Sequence, residues 1–186
     1  MKYAMILAAV LGLIVIGTSS SYADTTTSGS DPIFMKVAGI TGDTQTKEFS
    51  GDIELNSFQL GIEHPIDIAT GQSSGKTIFS PIAITKIMDS SSPALFSKVA
   101  SGQSISQIDI FFAKTTPSGL QTYAHYILKN VIISSYSVSS GGDTPSESII
   151  LSFETIQFEF STTNADGTLN PPSPTVGWDI ATNTLQ

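Results

Sequence analysis

The chain has 186 residues, and its 16 acidic side chains outnumber eight basic ones, which gives a net charge of -8. All eight basic residues are lysines, so no guanidinium offers phosphates a bidentate contact, and we expect neither nucleic-acid nor anionic lipid partners. The absence of cysteine excludes disulfides, thiolate metal sites and cysteine nucleophiles.

The first 23 residues have the three-part layout of a secretory signal peptide. Lys2 precedes an apolar run from Ala4 to Ile16, and Ser21-Tyr22-Ala23 places small residues where a signal peptidase cuts. The apolar run is shorter than the roughly 20 residues that span a bilayer as a helix. We therefore predict cleavage after Ala23 rather than a membrane anchor, no stable membrane insertion afterwards, and export to the periplasm or the medium.

Residues 24–30 are predicted to be a flexible polar leader, and residues 31–186 to form a single domain. Alternating apolar side chains predict strands in that domain. They cover Ile33–Val37, Ile53–Ile62, Ile82–Met88, Ile108–Lys114, Tyr123–Val138 and Ile149–Phe160.

Two of these strands change phase in the middle. Near Asn56-Ser57 and again near Glu154-Thr155 the alternation slips by one residue, which moves the apolar side chains to the opposite face. Strands that pass between two sheets at the corners of a barrel need such slips. The expected fold is therefore mainly β, a compact β-barrel of two packed antiparallel sheets with one short flanking α-helix.

That helix is predicted at about residues 92–101, between two strands. Ser92 suits the N-cap, Pro93 the first helical position, and Gly102 the left-handed residue beyond the end. Leu95, Phe96, Val99 and Ala100 fall on one side of it. About two turns are too short to be stable alone in water, so the helix must pack on the sheet.

The C-terminal part is predicted to be a turn, a strand and a tail. Gly141-Gly142-Asp143 indicates a hairpin turn into the strand at Ile149, and residues 164–176 are a proline-rich polar segment. Gly177-Trp178-Asp179 carries the only tryptophan, whose ring we expect to be buried where it fixes the tail to the body.

Motifs for nucleotide or metal chemistry are weak in this sequence. The segment GQSSGKT (residues 71–77) has three residues between its glycines where a phosphate-binding loop needs four. His64 and His125 have no metal-ligand spacing. His64 lies beside Glu63 and near Asp67, which leaves a weak metal or acid–base cluster open, although a solvated loop is the favoured interpretation.

Catalytic patterns are equally weak. No serine stands in a nucleophile elbow or an SxxK setting, and His125 is interpreted as a surface or rim residue. Glu154 and Glu159 are acidic residues on one predicted strand, as a glycosidase pair requires, but acids on a solvent face explain them equally well. We predict that the protein is not an enzyme and has no cofactor and no metal.

The chain resembles the haemolysin-coregulated protein (Hcp) family, the tube subunits of bacterial type VI secretion. The resemblance covers about residues 31–183. It rests on an ordered series of segments: Phe34–Gly42 (FMKVAGITG), Ile53–Gly61 (IELNSFQLG), Ile84–Ala94 (ITKIMDSSSPA), Leu95 with Gly102, Asn130–Ser134 (NVIIS), Glu147–Ile156 (ESIILSFETI) and Gly177–Asp179 (GWD).

The resemblance implies a structural, self-assembling protein. Six subunits would form a ring with a wide pore, and rings would stack into a tube that leaves the cell. Small effector proteins in the lumen and tip proteins of the secretion machine would be its partners. Ring closure after six copies requires a heterologous contact, in which two different surfaces meet.

The resemblance also implies which residues serve assembly. The loop Thr41–Ser50 would contact the neighbouring ring, and the segment from Asp89 to Gly102 would lie along an inner or packing face. The candidate assembly residues are Gly42, Asp43, Asp89, Ser92, Pro93, Leu95 and Gly102.

The N-terminal segment departs from the family pattern. Typical tube subunits are loaded from the cytoplasm without a cleavable signal, whereas Met1 to Ala23 resembles one. An exported ring-forming carrier or chaperone of the same fold, acting without a contractile sheath, is therefore the alternative.

Overall fold

The computed structural model describes residues 31–186, so the predicted signal peptide and leader lie outside the described residues. Within them the chain forms twelve strands, one α-helix and a 3-10 helix at Lys47–Phe49. The elements in order are β1 (Ile33–Val37), β2 (Ile53–Leu55), β3 (Ser57–Gln59), β4 (Ile62–Glu63), β5 (Ile78–Phe79), β6 (Ile82–Ile87), α1 (Ser92–Ser101), β7 (Ile105–Thr116), β8 (Gly119–Ser139), β9 (Ser146–Ser152), β10 (Thr155–Phe160), β11 (Val176–Asp179) and β12 (Thr184–Leu185).

Two antiparallel sheets share the long strand β8. In the first sheet the strand order is β12-β11-β10-β8-β7-β1-β2, and in the second β3-β6-β9-β8. The N-terminal part of β8 pairs with β7 and β10, and residues 132–139 pair with β9. The predicted class of two packed antiparallel sheets with one helix is confirmed. The predicted barrel is not closed, because the two sheets do not close on themselves.

Both predicted phase slips are points where the chain changes sheet. Strand β2 pairs with β1 in the first sheet, whereas β3, two residues later, pairs with β6 in the second. Strand β9 pairs with β6, and β10 pairs with β8 and β11. When the chain passes from one sheet to the other, the strand must present its opposite face to the core between them. A slip of one residue in the alternation does this, so the apolar side chains still point into that core.

The core fills that space. Its fully buried members come from β1, β2, β6, α1, β7, β8 and β9, and they include Met35, Ile53, Leu95, Leu128 and Ile149. A smaller cluster on the other face of the first sheet contains Phe34, Phe49 and Ala113. The Phe34 and Phe49 rings stack 4.2 Å apart, which holds the loop after β1 against the sheet.

The helix spans Ser92–Ser101, as predicted, and ends at Gly102 with φ +65°. Its first turn differs from the prediction. The N-cap position is Ser91, so Ser92 is the first helical residue and Pro93 the second. The predicted apolar side of the helix is divided, because Leu95 is 1% exposed and Phe96 is 59% exposed.

The tail is placed as predicted. Strand β11 pairs with β10, with Trp178 opposite Ile156, and the half-buried Trp178 ring packs against the main core, with Phe79 6.3 Å away. Between residues 31 and 186, no helix has the length and apolarity that crossing a membrane requires.

Strands β4 and β5 form a separate two-stranded sheet, which sequence patterns did not predict. We call residues 62–79 the arm. Near its tip an isolated β-bridge pairs Ile66 with Ser73. The element after GQSSGKT is β5, not a helix, so the segment lacks the context of a phosphate-binding loop.

Candidate functional site

Three of the seven candidate assembly residues, Asp43, Asp89 and Ser92, take part in hydrogen bonds at the start of α1. The Asp43 carboxylate accepts hydrogen bonds from the Ser90 hydroxyl and, at 3.0 Å, from the Ser90 amide. These bonds hold the pKa of Asp43 below its ordinary value. Asp89 accepts hydrogen bonds from the Ser91 amide at 2.9 Å and from the Ser91 hydroxyl, and its own amide donates to the Ser92 hydroxyl at 3.0 Å. The loop after β1 is therefore tied to the helix of its own chain.

Beneath this helix start lies a buried ion pair that sequence reasoning missed. The Lys86 ammonium donates to Glu147 Oε2 at 2.8 Å, to Asp89 Oδ1 at 2.8 Å and to Ser92 Oγ at 3.1 Å. The side chains of Lys86 and Glu147 are both 0% exposed. A buried charge is costly unless it is paired and hydrogen-bonded, and here both requirements are met.

The sequence does contain a signal for this pair. Lys86 continues the buried phase of Ile82 and Ile84 in β6, and Glu147 continues the buried phase of Ile149 in β9. The register of the two strands places Lys86 directly opposite Glu147. When two neighbouring strands each carry a charged residue at a buried position and the charges are opposite, the two residues are expected to pair across the sheet.

The Glu147 carboxylate also binds Tyr136, whose hydroxyl donates to Oε1 at 2.5 Å. Burial raises the pKa of Glu147, but the hydrogen bonds from Lys86 and Tyr136 outweigh it and hold that pKa below the ordinary value. Burial and the bond to Glu147 raise the pKa of Tyr136 to about 12. Every charge in the cluster has a partner, so its role in this fold is to fix the helix start on the second sheet.

The outer side of the helix borders an apolar groove. We call it the helix groove, and its lining residues are Met88, Asp89, Ser92, Pro93, Phe96, Tyr136 and Val138. Its volume is about 370 Å³, and the Phe96 ring lies edge-on to the Tyr136 ring at 6.0 Å. Three candidate assembly residues, Asp89, Ser92 and Pro93, line this groove, and of the three only Pro93 is exposed.

Gly42 is placed where a side chain does not fit. A Cβ there would lie 2.7 Å from Ile53 Cγ1 and closer still to the Asp52 carbonyl oxygen. We predict that Gly42→Ala lowers the free energy of unfolding by about 1–3 kcal/mol through overpacking, measured by urea denaturation. Gly141→Ala, where a Cβ meets nothing within 4 Å, is the matched control. Equal midpoints for the two variants would contradict the prediction.

His125 lies between two carboxylates on the outer face of the first sheet. Its Nε2 is 3.0 Å from Asp109 Oδ1, its Nδ1 is 3.5 Å from Glu159 Oε2, and its ring stacks on Phe111 at 4.5 Å. The prediction of a surface or rim residue did not include these contacts with the two carboxylates. Burial raises the pKa of Asp109, but hydrogen bonds from His125 and Gln107 outweigh it and hold the pKa below the ordinary value.

This lowered pKa predicts a pH dependence. Asp109 contributes stability above the ordinary carboxyl pKa, and that contribution is lost as the pH falls through the lower folded-state pKa. Asp109→Asn should therefore lower the free energy of unfolding at about pH 6. Between about pH 5 and pH 3 the free energy of unfolding should fall less steeply in the variant than in the wild type. Urea denaturation across this range measures both. Asp143→Asn, in the exposed turn after β8, controls for the removal of one charge, and parallel curves for Asp109→Asn and the wild type would contradict the prediction.

The other residues considered for metal binding or catalysis, His64, Glu154 and Glu159, do not form a common site. The His64 ring is bonded to Thr77 at 2.9 Å and Ser73 at 2.6 Å, which braces the arm. Glu154 bonds to Asn130, whereas Glu159 lies at His125 and accepts from Thr175. Among residues 31–186, no three His, Asp or Glu side chains are placed to hold a metal ion.

Comparisons with known proteins give the chain a family. A family model described as "Type VI secretion system effector, Hcp" matches residues 34–160. "Protein hcp1" of Pseudomonas aeruginosa is 26% identical over 155 residues, which are 81% of this chain and 96% of that protein. "Major exported protein" of the same species is 28% identical over 93 residues, 50% of this chain and 54% of the relative, so that match spans about half of each.

Solved structures share the fold. Hcp1 from Salmonella typhimurium superimposes with a TM-score of 0.66 at 26% identity, over 83% of this chain and 98% of that one. A structure described as a type six secretion system protein gives a TM-score of 0.78 at 23% identity, over 84% of this chain and 100% of that one. The region that the family model matches contains the second sheet, the helix with its buried ion pair, and the first sheet apart from Ile33, β11 and β12. The chain belongs to the Hcp family of type VI secretion proteins.

Proposed function

We propose that the protein is a hexameric ring subunit that stacks into the tube of a type VI secretion system and carries effectors in its lumen. The observation that carries this proposal is the family match over residues 34–160. The matched residues include every strand of the two sheets except β11 and β12, and lack only Ile33 of β1. Tip proteins of the secretion machine are the further partners proposed.

The surface supports self-association. Large apolar side chains are exposed on the arm, beside α1 and on β11 and β12. Apolar patches of this kind mark sites of protein–protein contact. We propose that this chain functions by self-assembly, and we propose no catalytic activity, cofactor or metal for it.

The candidate assembly residues divide into two groups in this proposal. Gly42, Asp43, Asp89, Ser92 and Leu95 contact their own chain, so substitutions there change folding before they change assembly. Pro93 is exposed and stays a candidate for direct contact. Gly102 ends the helix with a positive φ, which supports a role in shaping this surface.

Size-exclusion chromatography with light scattering tests the ring directly. The purified protein should elute with six times the mass of the chain, and electron microscopy should show rings with a central pore. A monomer that persists at high protein concentration would refute the proposal.

The second candidate is an exported ring-forming carrier or chaperone that works without a contractile sheath. It is favoured by the signal-peptide pattern in residues 1–23 and is consistent with a relative called "Major exported protein". N-terminal sequencing of protein from the native cell separates the two. A chain that begins at Asp24 supports the carrier, and an intact Met1 end supports the tube.

A further inference from the structure

A cleft of about 720 Å³ lies on the outer face of the first sheet. One wall is the loop between β1 and β2, which contributes Phe49 and Asp52, and the opposite wall is the segment 169–172. Phe111 from β7 and Leu120 from β8 line the floor between them. We call this surface the outer cleft. Its mixture of apolar walls and a few polar groups is typical of a ligand site.

The two walls of the outer cleft are fixed by backbone hydrogen bonds. On one side the Asp52 amide donates to the Phe49 carbonyl at 2.9 Å, and on the other the Asn170 amide donates to the Thr162 carbonyl at 2.9 Å. The Phe49 ring lies 5.8 Å from the Phe111 ring, so the wall and the floor are also in aromatic contact. A cleft that is already formed binds a ligand at little ordering cost.

Asp52 is a buried carboxylate without a partner. Its residue is 9% exposed, and within residues 31–186 no group donates a hydrogen bond to its carboxylate or forms an ion pair with it. Burial raises the pKa of Asp52, and Asp109 adds to that rise, whereas Lys36 opposes it. The buried charges of Lys86 and Glu147, by contrast, are paired. A carboxylate removed from water without a donor is costly, so a donor from a ligand would stabilise it.

The charges of the outer cleft define what kind of donor fits. Glu48 and Asp52 contribute two carboxylates to its lining, whereas Lys36 contributes one ammonium group, which is exposed. A positively charged N–H donor therefore complements Asp52 better than a neutral one. The Phe49 and Phe111 rings beside it suit an aliphatic stem and the face of an organic cation. Apolar walls of this kind do not suit a hydrated metal ion, which takes several oxygen ligands.

We propose that the outer cleft binds an organic cation, a guanidinium or ammonium group on an aliphatic stem, with Asp52 as its counter-ion. Free amines carry such a group, and so do the basic side chains of a peptide. Cation binding at this site goes beyond the proposed function and does not depend on ring formation.

Isothermal titration calorimetry on the purified protein tests the site with two probes. Agmatine represents the free amine, and Gly-Arg-Gly with blocked ends represents the peptide. Gly-Gln-Gly, blocked in the same way, is the neutral control. We expect both cations to bind with dissociation constants in the millimolar range or tighter, and the control not to bind. The tighter cation identifies the source of the ligand, whereas binding by neither cation, or equal binding by the control, would overturn the proposal.

Asp52→Asn assigns the binding to this carboxylate. The substitution keeps the size of the side chain and removes its charge, so the affinity for the tighter cation should fall by about tenfold or more. The fold should persist, because the carboxylate accepts no hydrogen bond within the described residues. Asp143→Asn, in the exposed turn after β8, is the matched control and should bind like the wild type. An unchanged affinity in Asp52→Asn would overturn the assignment.

Lys36→Met tests the same counter-ion with a change of opposite sign. Lys36 repels the ligand and partly neutralises Asp52, so its removal should raise the affinity by about two- to fivefold. Lys98→Met, near the helix end, is the matched control. An unchanged or lower affinity in Lys36→Met would refute the role of Asp52, even where Asp52→Asn folds poorly. Light scattering on the same samples keeps the two proposals apart: binding without rings refutes only the proposed function, and rings without binding refute only the cation site.

Discussion

Lys86→Met should be among the most destabilising single substitutions in this protein, with an expected loss of about 3–5 kcal/mol in the free energy of unfolding. The methionine keeps the length of the side chain but removes the charge. Glu147 then remains 0% exposed without its counter-ion, and Asp89 and Ser92 lose the donor that joins them. Urea denaturation at one fixed protein concentration measures the change, since assembly makes stability depend on concentration.

A second variant identifies the cause of that loss. Lys86→Met/Glu147→Gln removes both charges and leaves Tyr136 an acceptor, so it should be more stable than Lys86→Met alone. Lys98→Met, at a lysine near the helix end that bonds only Gln103, should change stability by no more than about 0.5 kcal/mol. If Lys86→Met unfolds at the wild-type urea concentration, the ion pair does not hold the helix start.

Leu95→Ala should cost about 2–5 kcal/mol, because it leaves a cavity where the helix packs on the second sheet. Leu95 is a member of the main core, and a helix of ten residues is too short to stand without such packing. Urea denaturation followed by circular dichroism measures the loss of stability and of helix together.

The neighbouring residue is the matched control. Phe96 is exposed and contacts the edge of Tyr136, so Phe96→Ala should cost only about 1 kcal/mol. Equal destabilisation by the two substitutions would mean that the helix is not oriented as described.

The buried ion pair and the exposed groove beside it are two sides of one arrangement. The charges under the helix hold its first turn, and that turn carries Pro93 and Phe96 at the groove. The buried lysine therefore helps to position Pro93 and Phe96 at the helix groove.

Local sequence patterns were sufficient for the elements with a strong period or strong end signals. The helix bounds followed from Pro93 and Gly102, whose backbone preferences act within a few residues. The sheet changes near Asn56 and Glu154 followed from the phase of the apolar residues, because period-two alternation reports which face is buried. The short strands of the arm and the tail gave no such pattern, since strands of two to four residues carry too few alternations.

By itself the sequence determined the two-sheet class, the position of the helix and the family resemblance, because these depend on local periodicity and on an ordered series of short segments. The tertiary structure alone decided which distant residues meet. It joined Lys86 to Glu147, 61 positions apart, placed His125 between Asp109 and Glu159, and turned Leu95 inward and Phe96 outward. These outcomes depend on strand register and on the space left by neighbouring elements, which no single segment of the chain encodes.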